Sequence, residues 1–204
     1  MTFDYAAARR NMVESQIRSN DVTDPGVQRA MRASPREAFC GPAAHLAYAD
    51  CEVEYAPGQW LMRPRDIGKL LNALKPRDGE RALAIAAPYA ADVLSRIGLA
   101  VTQDSADAAV AGSYDVIITE GSVTDVPQAW LAALAPGGCL AFETRNPDAG
   151  AWTAWASADR RVVDDPAAGR IEAWCEVGDV RDGVVTYTNR WRFTATGEEL
   201  SSDA

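Results

Sequence analysis

Histidine is almost absent from this chain of 204 residues: only His45 is present, within the stretch GPAAHLAYAD. Any histidine-dependent triad or metal cluster is confined to that one position, and a surface or hydrogen-bonded role suits it better. The four cysteines, Cys40, Cys51, Cys139 and Cys175, are dispersed without a CxxC pair. They supply no zinc ligand set, so no metal is expected and they read as reduced structural thiols. Lysine is also scarce, two residues against eighteen arginines, and with 38 alanines this reflects base composition rather than a recognition surface. Acids outnumber bases by 29 to 20, a net charge of -9. A duplex or an anionic bilayer would repel such a surface, so neither nucleic acid nor membrane is an expected partner. No eighteen-residue apolar run occurs, and the opening MTFDYAAARR carries an acid and no apolar h-region, which predicts a cytoplasmic protein.

What is present is globular in character. Hydrophobic residues make up 48% and charged residues 24%, which fits a single well-buried domain. The pattern predicts a helical region over 1–75, a sheet region over 76–196 and a frayed acidic tail over 197–204. Apolar positions Tyr5, Ala8, Met12, Val13 and Ile17 fall on one helical stripe, with Asp4 placed to cap it. Asp24-Pro25 reads as N-cap and first helical residue, and Ser34-Pro35 repeats that grammar. A longer helix is expected from Pro64 to Leu74. Then the period changes: Arg81 to Ala86 is a short apolar run, as a strand covered on both faces requires. A helix ending at Gly98, strands over 99–102, 114–119 and 139–143, and a helix over 128–134 follow. This is the pattern of an open parallel sheet with crossovers. From Ile171 to Val177 and from Val185 to Phe193 the residues alternate, which predicts an antiparallel hairpin on that sheet.

The words MVESQIR (12–18), SPREAF (34–39), AYAD (47–50), GQWLMRP (58–64), LKPRDGERAL (74–83), YDVIITEG (114–121) and LAPGG (134–138) resemble the protein-L-isoaspartate O-methyltransferase family in order and spacing. The resemblance covers roughly residues 3 to 145. It implies an α/β fold, a Rossmann-like class I methyltransferase sheet with N-terminal helices. It also implies transfer of a methyl group from S-adenosylmethionine (SAM) to the carboxylate of isoaspartyl residues in damaged proteins. Such a reaction needs alignment more than proton transfer, so the shortage of histidine does not count against it.

The resemblance breaks down where the cofactor would sit. Family members end the first strand in an acid and continue into a glycine-rich turn that lets the backbone approach the cofactor. Here the acid position is Ala84, and Ala86-Ala87-Pro88 stands where five residues with three glycines are expected, just before Tyr89. Pro88 removes one amide donor and restricts Ala87. Only Gln103 to Ser113 separates the second strand from Tyr114, room for one minimal crossover, so one internal strand is expected to be deleted. The acid that would hold the ribose is represented by Gln103 or Asp104, and Asp104 reads better as the N-cap of the short segment after it. Glu120 is the remaining position of the implied cofactor site. Trp60 and Met62 occupy positions where relatives carry small hydroxyl residues that contact the reacting carboxylate, and Met62 offers only dispersion. The reading is a degenerate member with no catalytic residues and no cofactor, acting as a binding or regulatory scaffold, the alternative being an active SAM-dependent repair enzyme. Its partner is expected to be a protein or a second copy. Trp60, Met62 and Tyr89 either rim a contact surface or plug the vacated pocket as core. Trp152, Trp155 and Trp174 read either as an interface or as sheet packing.

Overall fold

Asp4 begins the first helix as expected, its carboxylate accepting the Ala7 amide at 2.9 Å ahead of α1 (Tyr5–Met12). A computed structural model describes residues 4–105, 110–120, 126–143, 150, 152–155, 160–165, 169–181 and 184–203. The predicted single helix over 4–18 does not stay regular. After α1 it widens into a π-helical turn, Val13–Ile17, then tightens into a 3-10 turn, Arg18–Asn20. Within that change Met12, Val13 and Ile17 are all buried, so the core contact overrides the regular period.

Asp24 accepts the Gly26 and Val27 amides at 2.7 and 3.0 Å and starts α2 (Pro25–Ala33), whose Val27, Ala30 and Met31 are buried. The second Ser-Pro signal fails. Ser34 caps nothing; its side chain is buried without a partner, and the 3-10 segment Arg36–Phe39 begins after Pro35. A further 3-10 segment, Gly41–Leu46, leads to the small antiparallel pair β1 (Val53–Ala56) and β2 (Gln59–Leu61). The expected α3 (Pro64–Leu74) follows, and its Asn72 side chain accepts the Thr23 and Asp24 amides at 3.0 and 2.9 Å, fixing the start of α2 against it.

Then comes β3 (Arg81–Ile85), α4 (Pro88–Ile97), β4 (Ala100–Asp104), β5 (Tyr114–Thr119), α5 (Gln128–Ala132) and β6 (Leu134–Ala141). The four strands form a parallel sheet in the order β4-β3-β5-β6. β3 and β5 are covered on both faces, which their apolar runs anticipated. Ala82, Ala84, Val116 and Ile118 join the helical N-terminal core, while Leu83, Ile85 and Ile117 join Trp130 and Ala133 in a second cluster. Between β4 and β5 the described residues, 105 and 110–113, contain no strand. Pro136-Gly137-Gly138 is not a turn ahead of the last strand but a bulge inside it, where pairing jumps from Tyr114↔Leu134 to Val116↔Cys139. Gly138 is required there, because a Cβ would stand 3.0 Å from three backbone oxygens, those of Tyr114, Asp115 and Ala135.

The chain divides into two compact units, residues 1–143 and 144–204, where one domain with a sheet running through residue 196 was expected. The second unit contains α6 (Trp152–Trp155), β7 (Arg161–Asp165), β8 (Gly169–Arg181), β9 (Val184–Phe193) and β10 (Glu199–Asp203). The predicted hairpin forms with Ile171 opposite Phe193 and Val177 opposite Tyr187. It belongs, however, to an antiparallel sheet of its own, ordered β10-β9-β8-β7. The tail is not frayed: Leu200 pairs with Trp191 and Ser202 with Asn189, using the free edge of β9. Trp174 packs within this sheet, with the guanidinium of Arg160 at 4.2 Å and that of Arg192 at 5.8 Å from its ring centre. Trp155 stands edge-on to Tyr187 at 5.4 Å, and Trp152 is half-buried on α6.

Candidate functional site

The chain leaves β3 through α4 to β4 on one side, then returns to β5 on the other. The crevice at the carboxyl ends of β3 and β5 is therefore the topological switch point of the sheet, where open α/β folds bind their ligands. The residues Ala86, Ala87 and Pro88 that lead from β3 into α4 stand at that end of the sheet. Ala86 is held in the left-handed region at φ 48°, a conformation that disfavours any Cβ, and its amide donates to the Asp104 carbonyl at 2.9 Å. Ala87 is buried and Pro88 is the first residue of α4. Ala84 lies two residues before the turn, 1% exposed, between Gln103 of β4 and Ile118 of β5. Gln103 is exposed; the Asp104 carboxylate accepts the next amide, that of Ser105, at 2.9 Å.

The structure brings three further groups to this crevice from separate segments. Arg36 is completely buried. Its Nε donates to the Ala47 carbonyl at 2.9 Å and its Nη2 to the Met62 carbonyl at 2.5 Å, and its guanidinium carbon lies 4.8 Å from the ring centre of Tyr89. Tyr89 is equally buried, with Phe39 edge-on at 6.0 Å. Its hydroxyl has no hydrogen-bond partner, and burial drives its pKa far up. Glu120 directly follows β5, and its Oε2 accepts the Met62 amide at 2.9 Å. Burial pushes this carboxyl up to about 7, against the opposing pull of the Arg36 charge and the Met62 and Ala90 amides.

The backbone of Met62 is thus held on both sides of its Cα, by Arg36 on its carbonyl and by Glu120 on its amide. Its half-buried side chain packs on the core. Of the three bulky residues assigned to the mouth, Tyr89 is core, Met62 is half-buried against the core and Trp60 stays in solvent, 51% exposed. Arg36 was missed as a site residue: in the word SPREAF nothing distinguishes a buried arginine from a solvated one. Cys40 is buried with its pKa raised by that burial, and His45 is exposed. Among the described residues no cluster of His, Cys, Asp and Glu could hold a metal ion, and no helix is long and apolar enough to cross a membrane.

No family model matches the chain. It is 31% identical over 175 residues to the protein-L-isoaspartate O-methyltransferase of Methylorubrum extorquens (strain PA1), an alignment covering 71% of this chain and 77% of that protein. The chain belongs to the protein-L-isoaspartate O-methyltransferase family. Protein-L-isoaspartate O-methyltransferase 1 of Rhodopseudomonas palustris (strain HaA2) is 38% identical over 136 residues, 65% of this chain and half of that one. A similar fold occurs in a solved structure of a putative protein-L-isoaspartate O-methyltransferase from Plasmodium falciparum, in complex with S-adenosyl-L-homocysteine. Its TM-score is 0.53 at 13% identity, covering 88% of this chain and 92% of that one. The Rossmann-like sheet expected from the family resemblance is therefore the fold of this protein-L-isoaspartate O-methyltransferase family member. Its switch point is built from Ala84, Ala86, Ala87, Pro88 and Glu120.

Proposed function

We propose that this family member does not use SAM and serves as a non-catalytic binding or regulatory scaffold. The observation that carries the reading is the turn between β3 and α4. Where the family resemblance implies glycines, Ala86 holds a Cβ in a left-handed conformation and Pro88 removes an amide from the start of α4. Tyr89, the next residue, is locked between Arg36 and Phe39. Backbone cannot approach a cofactor there as it does through a glycine turn, and no acid stands at Ala84 to anchor the amino-acid end. The residues present do not fit SAM, so no methyl-transfer step is assigned to them. In this reading the scaffold meets a protein partner or a second copy through the exposed Trp60 turn.

A second reading, active methyl transfer to isoaspartyl carboxylates, is favoured by the names of the bacterial relatives and the share of their length the chain spans. Calorimetric titration with SAM and with S-adenosyl-L-homocysteine separates the two. No heat of binding is expected up to about 1 mM ligand, weaker than roughly -4 kcal/mol. A micromolar dissociation constant for either ligand, together with methylation of an isoaspartyl peptide, overturns the scaffold reading.

A further inference from the structure

Three buried polar groups that interact electrostatically with one another have bonding capacity left over. Arg36 has placed Nε and Nη2 on backbone carbonyls, yet its Nη1 is buried and has no partner. The Tyr89 hydroxyl, carried by the ring that the same guanidinium covers, is buried and unpartnered. Glu120 has placed Oε2 on the Met62 amide, while Oε1 is buried and makes no hydrogen bond of ordinary geometry, although the Ala90 amide lies close enough to favour its charge. A guanidinium nitrogen, a hydroxyl and a carboxylate oxygen are all expensive to bury unsatisfied, each by about 1–3 kcal/mol or more.

Direct pairing does not resolve this. Arg36 and Glu120 interact electrostatically but form no ion pair within 4.0 Å, each being fixed to a different backbone group of Met62, its carbonyl or its amide. What remains is one donor on Arg36, one acceptor on Glu120 and a hydroxyl that can act as either. A single water, with two donors and two acceptors, answers all three, and buried waters hold on the order of three such bonds.

We propose that Arg36 Nη1, Tyr89 Oη and Glu120 Oε1 form a water site at the switch point, and that the bound water joins the two buried charges as a solvent-separated ion pair. A water-sized neutral molecule is the ligand class, because the pair already balances its own charge when Glu120 is ionised. The assignment does not depend on whether SAM binds.

A crystal structure of the full chain at about pH 8 tests it. One solvent peak is expected at about 2.7–3.2 Å from all three atoms. In Tyr89→Phe the peak should persist on Arg36 and Glu120 alone. Its loss in that variant, or direct contact between Arg36 and Glu120 in the native chain, overturns the proposal. A bromide soak supplies the remaining control: an anomalous peak at that position makes the site an anion seat and overturns the water assignment, and its absence supports it. In solution, oxygen-17 relaxation dispersion should count one fewer long-lived water in Tyr89→Phe/Glu120→Met than in Tyr89→Phe, and equal counts refute the site.

Discussion

Replacing Glu120 by glutamine should change how stability responds to pH, and the size of the change follows from the burial of its carboxyl. In the folded protein this group titrates at about 7 against an ordinary value of 4.5. Between those limits the unfolded chain has released a proton that the folded chain retains. Stability therefore falls as pH rises from 4.5 to 7 and then levels off. The full displacement corresponds to about 3 kcal/mol, of which roughly 2 kcal/mol develops between pH 5.5 and 8. Glutamine cannot ionise, so Glu120→Gln lacks this fall. Its stability relative to the native chain should rise by about 2 kcal/mol across that interval. The constant offset from the new amide does not matter, since the slope is what is read. The neighbours stay silent: the pKa values of Tyr89, Tyr55 and Cys40 are all raised by burial above their already high ordinary values. Urea unfolding of both proteins at half-unit pH steps is the assay. A difference independent of pH, or one that shrinks toward pH 8, refutes the reasoning.

Ala86→Gly removes a Cβ from a left-handed residue and should stabilise the protein by about 0.5–1 kcal/mol in the same assay; destabilisation shows that the turn is not strained. Ala84→Asp, which restores the family's acid, places an unpaired carboxylate at a position 1% exposed inside the sheet. It should cost about 3 kcal/mol or more, and SAM at millimolar concentration should not raise the melting temperature of the variant. Arg36→Ala strands the Ala47 and Met62 carbonyls and removes the cation over Tyr89. A loss of about 3–5 kcal/mol is expected by chemical denaturation, and a loss below 1 kcal/mol contradicts the packing. Gly138→Ala drives a methyl against three carbonyl oxygens and should destabilise by about 1–3 kcal/mol.

The elements that sequence reveals here are those whose causes lie next to them in the chain. Asp24-Pro25 and Pro64 begin α2 and α3 because capping and a fixed φ act within one turn. The short apolar runs at 81–85 and 114–119 become the two strands of the first sheet covered on both faces. Signals of the same strength fail where a distant contact decides. Ser34 resembles a cap, yet its hydroxyl is drawn into the core. The acidic tail carries no strand pattern of its own and pairs because β9 presents an open edge. The site fails to announce itself for the same reason. Arg36, Met62, Tyr89 and Glu120 come from four segments, and what joins them is largely backbone: the Ala47 carbonyl and the amide and carbonyl of Met62. Backbone groups leave no trace in residue identity. Motif comparison could register that the turn after β3 carries none of the expected glycines, but not that a buried arginine and a carboxylate hold the two backbone groups of one residue beside it. Side chains that bridge a crevice in this way are coupled energetically, so variants of Arg36, Tyr89 and Glu120 should be compared in double-mutant cycles rather than summed.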